Sequence, residues 1–172
     1  MSRNDSFDVV SRNYFLDTSA IVKLLCAEAG SEKLRVLKSY PGSNFFTSWV
    51  LLSEALGVLK RKWSKRELAD SQYEEKVRLL FLYIGMGYLD PVDVVVDKGH
   101  PQLLTYEFDI SKIRADHPSL DAADALQFKA IQQGLLKYLA GESRPQLVSA
   151  DTELLKAAQA EGIPIVSVCD DV

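Results

Sequence analysis

Short apolar segments typical of β-strands alternate along this chain with longer segments of helical periodicity, and this alternation limits the possible folds more than any other feature. Strands separated by helices imply βαβ units, and therefore a parallel sheet with helices on both faces. The predicted strands are 13–16, 44–47, 92–96, 146–149 and 163–168. The predicted helices are 20–27, 32–39, 49–63, 65–86, 101–114, 120–133 and 151–160. The predicted fold class is α/β, a three-layer α/β/α sandwich with a central, mostly parallel sheet.

Polar and glycine residues predict where several helices begin and end. We expect Gly30 to stop the first helix and Ser31 to cap the second. Ser48 and Ser119 are predicted N-caps of the helices that follow them, and Gly162 is predicted to stop the helix before it.

The length of 172 residues fits one domain with enough buried surface for a core. We expect residues 1–12 to form a flexible N-terminal tail and residues 13–172 to form a single domain. There is no internal repeat, low-complexity tract or Pro/Gly-rich linker to divide them. Residues 135–145 are less regular and are interpreted as an insertion or loop.

The composition narrows the class of function. A net charge of −4 gives no general attraction for nucleic acid, so a nucleic-acid substrate would need a local basic patch or a metal ion. Cys26 and Cys169 are too few and too far apart for a disulfide framework or a zinc site. We therefore expect reduced thiols in a cytoplasmic protein. No apolar stretch is long enough to span a membrane, so no membrane partner is expected.

Two aspartates stand at the ends of predicted strands. Asp17 follows the run Tyr14-Phe15-Leu16, Asp151 follows Leu147-Val148-Ser149-Ala150, and each precedes a predicted helix. Parallel strands place their carboxyl ends at one edge of the sheet, where ligands bind, so both carboxylates should meet there. Either aspartate could instead serve only as a helix N-cap.

Three further acids lie in or beside predicted helices. Glu54 is the only charged residue between Phe45 and Leu59, and a carboxylate in a mostly buried helix is costly unless it is paired or metal-bound. A partly exposed helix edge or a structural ion pair is the alternative. Asp121 and Asp124 are three residues apart and share one helix face. Both could simply favour the positive end of the helix dipole, and this alternative is stronger for Asp121 in the first turn.

These carboxylates have no catalytic His or Cys beside them, which favours a site for hard divalent cations. The chain's two histidines are His100 and His117, and His117, next to Pro118, is expected in a loop rather than as a ligand. Three hydroxyl residues are expected to hydrogen-bond the acids from behind: Thr18, Ser19 and Ser149. Thr18 and Ser19 are equally well explained as capping residues.

A basic stretch follows Glu54 on the same predicted helix. Residues 60–62 and 65–66 are all Lys or Arg, and together with Trp63 they could guide an RNA backbone and stack a base. A solvated helix end is the favoured interpretation. Lys23, six residues after Asp17, could reach a phosphate, although a surface lysine is the default expectation.

The acidic segments resemble those of the PIN-domain nuclease family, and within it the VapC-like toxins of bacterial toxin–antitoxin modules. They occur in the family's order and span about Tyr14 to Val168. The matching segments are Leu16-Asp17-Thr18-Ser19-Ala20, Ser53-Glu54-Ala55-Leu56, Ala123-Asp124-Ala125-Leu126 and Ser149-Ala150-Asp151. The resemblance implies a PIN-like parallel sheet sandwiched by helices and a divalent-metal-dependent ribonuclease activity.

The resemblance also implies roles and partners. Asp17, Asp124 and Asp151 would hold Mg²⁺ or Mn²⁺, Glu54 would complete the catalytic site, and Asp121 is an alternative ligand. RNA would be the substrate, and the chain would be the toxin of a type II toxin–antitoxin module. A homodimer and an antitoxin that covers the acidic cleft are expected on the same basis.

Other classes of function agree less well with these residues than a nuclease does. A catalytically silent PIN-like scaffold that binds RNA or a protein is the main alternative. A haloacid-dehalogenase-like site would need a second acid two residues after Asp17, where Ser19 stands. A receiver domain would need paired acids and a lysine late in the chain, and neither is evident. No Gly-rich phosphate loop follows the first strand, which argues against a nucleotide-binding Rossmann fold.

Overall fold

The computed structural model of the protein describes residues 11–92, 110–133 and 144–169. Within these residues the chain forms five strands and seven helices. The strands are β1 (Arg12–Leu16), β2 (Ser43–Thr47), β3 (Asp90–Pro91), β4 (Gln146–Ser149) and β5 (Ile165–Ser167). The helices are α1 (Thr18–Leu25), α2 (Ser31–Ser39), α3 (Trp49–Ser64), α4 (Asp70–Gly85), α5 (110–116), α6 (Ala122–Gln133) and α7 (Thr152–Ala160).

The strands form one sheet in the order β3-β2-β1-β4-β5, and every described pair is parallel. Tyr14 of β1 is in register with Phe45 of β2, and Phe15 is in register with Leu147 of β4. The strand order reverses beside β1, because β2 and β3 extend on one side and β4 and β5 on the other. Such a reversal opens a crevice at the carboxyl ends of the strands. The predicted α/β class and three-layer arrangement are confirmed.

The two central strands are buried, as expected for parallel strands covered on both faces. Phe15 and Leu16 of β1 and Leu147 and Val148 of β4 have no exposed surface. Helices α1 and α3 pack against each other beside them. The tips of β1 and β4 are therefore held by a rigid core, and residues just beyond them are fixed in position.

Several predicted boundaries are confirmed closely. β4 has the predicted bounds, and α3 begins after Ser48, whose hydroxyl accepts the N–H of Leu51 at 3.3 Å. α7 begins at Thr152, because Asp151 is its N-cap and not its first residue. Gly162 follows its end with a φ of 72°, the left-handed conformation common after helices.

Three predictions about helix ends were wrong, and the first two concern Gly30 and Ser31. Gly30 does not end α1, which stops at Leu25; it precedes α2 with a φ of 85°. A Cβ at Gly30 would collide with the carbonyl oxygen of Val168, so only glycine fits there. Ser31 is the first residue of α2 and not its cap, because its hydroxyl donates to the carbonyls of Lys23 and Cys26.

Ser119 does not cap α6 either, because the helix begins at Ala122 and Asp121 provides the capping oxygen. The helix predicted at 65–86 begins only at Asp70, since Arg66 adopts a φ of 62° and breaks the path from α3. β5 is shorter than predicted, and Pro164 before it has no N–H to give a neighbouring strand.

Some predictions fall partly outside the described residues. Arg12 already belongs to β1, and residues 1–10 of the predicted tail lie outside. β3 begins at Asp90, before the predicted strand at 92–96, of which 93–96 lie outside. Residues 101–109 of one predicted helix and 135–143 of the predicted loop also lie outside. In the described part of the chain, no helix is both long and apolar enough to cross a membrane.

Candidate functional site

A cavity of about 420 Å³ opens where the carboxyl ends of β1 and β4 meet. Its walls come from the turns after these two strands, from the turn between α1 and α2, and from helices α1, α3, α6 and α7. All five acids singled out from the sequence line it: Asp17, Glu54, Asp121, Asp124 and Asp151. The parallel sheet brings Asp17 and Asp151 to one edge, as its topology predicts, and α3 and the start of α6 contribute the other three acids.

Asp17 is the buried acid of the site, with 4% of its surface exposed. Its Oδ1 accepts the N–H of Ala20 at 2.7 Å, which makes it the N-cap of α1. The hydroxyl of Ser19 donates to Oδ1 at 2.8 Å, and the hydroxyl of Ser149 donates to Oδ2 at 2.7 Å. Burial raises the pKa of Asp17, while these hydrogen bonds act to lower it. The cap and the site interpretation of Asp17 therefore both fit the structure.

Two serines join the tips of β1 and β4. Ser149 donates to Asp17 and accepts the N–H of Asp151 at 2.8 Å. Ser19, from the other strand's turn, accepts the N–H of Ala150 at 2.8 Å. The hydroxyls of Ser19 and Ser149 are thus hydrogen-bonded to residues of both turns, as expected. These bonds hold the turn after β1 and the turn after β4 at a fixed separation.

Glu54 is only partly buried on α3, and it is held by a hydroxyl from α1. Thr18 Oγ1 donates to Glu54 Oε2 at 2.7 Å, across two helices that pack together. The intermediate burial of Glu54 therefore agrees with the alternative of a partly exposed helix edge. The hydrogen bond nevertheless holds one oxygen of Glu54 beside Thr18, the residue that follows Asp17, and gives Thr18 a partner outside its own helix.

Asp121 and Asp124 form a reciprocal cap at the start of α6. Asp121 Oδ1 accepts the N–H of Asp124 at 3.0 Å, and Asp124 Oδ2 accepts the N–H of Asp121 at 3.1 Å. The pKa of Asp124 is raised to about 6; burial is the largest cause, and the negative charges of Asp121, Asp151 and Glu54 contribute to the same rise. Asp124 therefore lies close enough to three cavity acids to interact with their charge.

Asp151 is the exposed acid at the tip of β4. Its Oδ1 accepts the N–H groups of Glu153 at 2.8 Å and Leu154 at 3.1 Å, so it caps α7 as the sequence allowed. Its position still borders the cavity. A capping role and an exposed carboxylate oxygen are compatible at this residue.

Two polar cavity residues, Gln127 and Glu28, are not predicted from the sequence, and Lys62 of the basic stretch lines the cavity with them. Gln127, one turn after Asp124 on α6, is buried, and its Nε2 donates to Asp124 Oδ1 at 3.3 Å. Its Oε1 is buried without a hydrogen-bond partner. Gln127 is three residues after Asp124, and this spacing places both residues on one face of a helix. Glu28 and Lys62 also line the cavity, and they are joined by an ion pair of 2.6 Å between Oε1 and Nζ. No sequence signal links residues so far apart.

The remaining basic stretch is mostly exposed, as the favoured interpretation expected: Lys60, Arg61, Lys65 and Arg66. Trp63 does not present a free ring. It stacks on Tyr73 with ring centroids 5.2 Å apart, and its Nε1 donates to Asp70 Oδ1 at 2.7 Å. Lys23 lines the cavity and donates to the carbonyl of Ala29.

The carboxylate oxygens of the cavity are of the kind that binds a hard cation, but they are spread around the cavity. Across residues 11–92, 110–133 and 144–169, no three His, Cys, Asp or Glu side chains are gathered closely enough to hold a metal ion. His117 lies in a loop after α5, as expected, and its Nε2 pairs with Glu161 Oε1 at 3.0 Å. The carboxylates are thus arranged around one cavity without converging on one point.

Comparison with known proteins supports the fold. No protein-family model matches the sequence, and no match was found among curated proteins. The chain is similar to the protein in the crystal structure of PAE2754 from Pyrobaculum aerophilum. The two share 18% sequence identity over 96% of this chain and 92% of the other, with a TM-score of 0.51. At that identity the likeness shows a shared fold and no more.

Proposed function

We propose that this protein is a divalent-metal-dependent ribonuclease that hydrolyses RNA phosphodiester bonds. The observation that carries the proposal is the gathering of five carboxylates, from separate turns and helices, around one cavity at the strand tips. The pKa of Asp124 is raised to about 6, in part by its acidic neighbours, so the cluster carries negative charge that a cation would neutralise. Carboxylate oxygens are the donors that Mg²⁺ and Mn²⁺ prefer.

The fit to a metal rests on donor chemistry and charge, since the acids do not converge on one point. Asp17, Asp124 and Asp151 would hold Mg²⁺ or Mn²⁺, with Glu54 or Asp121 as a further donor. The bound metal would supply an activated water and stabilise charge on the phosphate. The protein's own contribution is orientation: Ser19 and Ser149 fix the carboxylate of Asp17, and Thr18 fixes that of Glu54.

The finer identity follows from the resemblance of the four acidic segments to PIN-domain nucleases of the VapC-like type. On that basis we propose a cytoplasmic toxin of a type II toxin–antitoxin module, with RNA as substrate and an antitoxin as partner. Both cysteines, Cys26 and Cys169, are free thiols, which fits a reducing compartment. An antitoxin gene beside this one, and rescue of growth by its product, would support the toxin role; growth unaffected by expression of the active protein would oppose it.

We also propose a homodimer. Phe81 and Leu82 on α4 and Met86 directly after its end are each about half exposed, and groups of apolar side chains of this size mark association surfaces. Sedimentation velocity should show a dimer for the wild-type protein and a monomer for Phe81→Glu. A monomeric wild-type protein at micromolar concentration would reject the dimer without affecting the nuclease proposal.

The nuclease is tested by incubating the protein with single-stranded RNA and Mg²⁺ or Mn²⁺, with and without a chelator. Cleavage should require metal and should fall at least about 100-fold in Asp17→Asn, Asp124→Asn and Asp151→Asn. Asp116→Asn is the matched control, because Asp116 is an exposed aspartate outside the cavity wall. If cleavage survives Asp17→Asn at the wild-type rate, the assigned site is wrong.

A catalytically silent scaffold is the second candidate, and the hydrogen bonds of the acids favour it. Asp17 and Asp151 cap helices, and Asp121 and Asp124 cap each other, so these four acids have structural roles without metal. A scaffold would bind RNA or a protein without cleavage, and a chelator would not alter that binding.

A further inference from the structure

Lys23 of α1 and Lys62 of α3 line the end of the cavity that we call its basic end, together with Glu28, which pairs with Lys62. Glu54, Val58 and Lys62 are spaced by four residues and all line the cavity, so they form one stripe along α3. Glu54 and Lys62 are separated by about 12 Å along the helix axis. This separation is too long for one phosphate group to contact both positions, and it is suited to a chain of linked phosphates.

The ammonium of Lys62 is already occupied by carboxylates. Lys62 Nζ lies 2.6 Å from Glu28 Oε1 and 3.3 Å from Glu67 Oε2. The side chains of Lys62 and Glu28 are 25% and 29% exposed, so the pair lies at the cavity wall and not in the core. Of the two carboxylates, only that of Glu28 lines the cavity with Lys62.

We propose that Lys62 binds a backbone phosphate of the nucleic acid further along the strand than the phosphate at the acids, and that Glu28 pairs with Lys62 until this phosphate displaces it. The proposal rests on the proposed ribonuclease function for the identity of the ligand. A phosphate oxygen has the charge and the hydrogen-bonding geometry to replace a carboxylate oxygen at an ammonium group. The contact orients the strand along α3, from the basic end of the cavity toward Glu54.

The charge arrangement explains why such a contact is needed. The protein carries a net charge of −4, and the cavity has five acids at its other end, so a polyanion is repelled unless cations oppose them. Among the residues that the structure describes, Lys23 donates to the neutral carbonyl of Ala29, whereas Lys62 pairs with the carboxylate of Glu28. Removal of Glu28 therefore changes the charge available to a ligand without altering any of the acids near Asp17.

Binding of a labelled single-stranded RNA, followed by fluorescence anisotropy in EDTA over a range of salt concentrations, tests the proposal without cleavage. Lys62→Gln should weaken binding about five- to tenfold at low salt and reduce the salt slope by about 0.7, the value for one phosphate contact to a single strand. Glu28→Gln should tighten binding several-fold. Lys62→Arg keeps the charge and should retain binding. Lys60→Gln is the matched control, because Lys60 is exposed on the same helix and does not line the cavity.

The double variant separates the proposed competition from a general charge effect. Glu28→Gln should have no effect on binding in the Lys62→Gln background, because Glu28 acts through Lys62. The proposal is overturned if Lys60→Gln and Lys62→Gln weaken binding equally, if Glu28→Gln still tightens binding without Lys62, or if the wild-type protein binds no RNA. Thermal unfolding confirms that each variant is folded.

The cleavage assay distinguishes the two proposals. RNA binding that depends on Lys62, without metal-dependent cleavage, would reject the ribonuclease and leave the phosphate contact standing. Metal-dependent cleavage with normal RNA binding by Lys62→Gln would reject the phosphate contact alone.

Discussion

Asp17 and Asp151 have equivalent positions between a strand and a helix, but one is buried and the other is exposed. Each follows a parallel strand, and each side chain caps the helix that begins next. Asp17 is buried, and both of its oxygens accept hydrogen bonds, from Ala20, Ser19 and Ser149. Asp151 is exposed and uses Oδ1 for its cap. One sequence pattern therefore produces an anchored carboxylate and an accessible one.

Tertiary packing causes the difference. α1 packs against α3, and Thr18 joins α1 to Glu54, so the start of α1 is covered. Ser149 also crosses from β4 to reach Asp17. One aspartate can therefore cap a helix and also bind a ligand, because burial decides how many of its carboxylate oxygens remain accessible.

The largest expected effect on stability is that of Asp17→Ala. It leaves the N–H of Ala20 and the hydroxyls of Ser19 and Ser149 without their acceptor, and we expect the free energy of unfolding to fall by about 3 kcal/mol. Asp151→Ala removes only an exposed cap and should cost about 1 kcal/mol. Urea denaturation in EDTA measures both. Equal losses for the two variants would show that burial does not distinguish these aspartates.

The sequence predicts the shared pattern of the two aspartates but not their difference. Periodicity and the apolar runs predict the sheet, the bounds of β4 and the cap at Ser48, because these depend on residues close in sequence. The break at Arg66 was missed, since the amphipathic pattern continues through it. The burial of Asp17 depends on the packing of α1 against α3, which no local pattern encodes.

Contacts between residues far apart in sequence also limit what can be predicted of the candidate site. Parallel topology alone predicts that acids after β1 and β4 share an edge, and the structure places the five acids around one cavity. Glu28 enters the cavity through the turn between α1 and α2, where sequence gives it no apparent role. Its partner Lys62 is brought to it by α3, so the pair is visible only in three dimensions.

The second expected effect is that of Ser149→Ala, which removes the link between the two aspartates. Ser149 donates to Asp17 Oδ2 and accepts the N–H of Asp151, so its loss affects both turns. We expect the free energy of unfolding to fall by about 2 kcal/mol, because the hydroxyl is buried and one partner is a carboxyl group. Urea denaturation measures the change.

Ser167 offers a matched control for Ser149. The two serines are in register on β4 and β5, and Ser167 also accepts an N–H two residues on, that of Cys169 at 3.3 Å. Ser167 is exposed, so Ser167→Ala should cost no more than about 0.5 kcal/mol. A loss for Ser149→Ala as small as that would mean that the two strand tips are held together without its hydroxyl.

The third effect is a pH dependence from Asp124, whose burial is intermediate between those of Asp17 and Asp151. Its pKa is raised to about 6 in the folded protein, above the ordinary value of 3.8, so the folded state binds the proton more tightly. Stability from this group is therefore greatest below about pH 4 and is lost as the pH rises through about 6. Asp124→Asn should raise the free energy of unfolding by about 1–2 kcal/mol near pH 7.5 and change it little near pH 4. Urea denaturation in EDTA at both pH values tests this; a parallel shift at the two values would contradict it.

The smallest effect on stability is expected for Asp151→Asn, and it gives the sharpest test of an accessible carboxylate. Asparagine is as good an N-cap as aspartate, so the free energy of unfolding in EDTA should change by no more than about 0.3 kcal/mol. Mn²⁺ should raise the melting temperature of the wild-type protein, because a ligand that binds only the folded state stabilises it. Loss of a ligand carboxylate should weaken Mn²⁺ binding at least about tenfold, so Asp151→Asn should need correspondingly more metal for the same increase. If Asp151→Asn keeps the full response to Mn²⁺, Asp151 is a cap alone, and accessibility at a strand tip does not make a carboxylate a ligand.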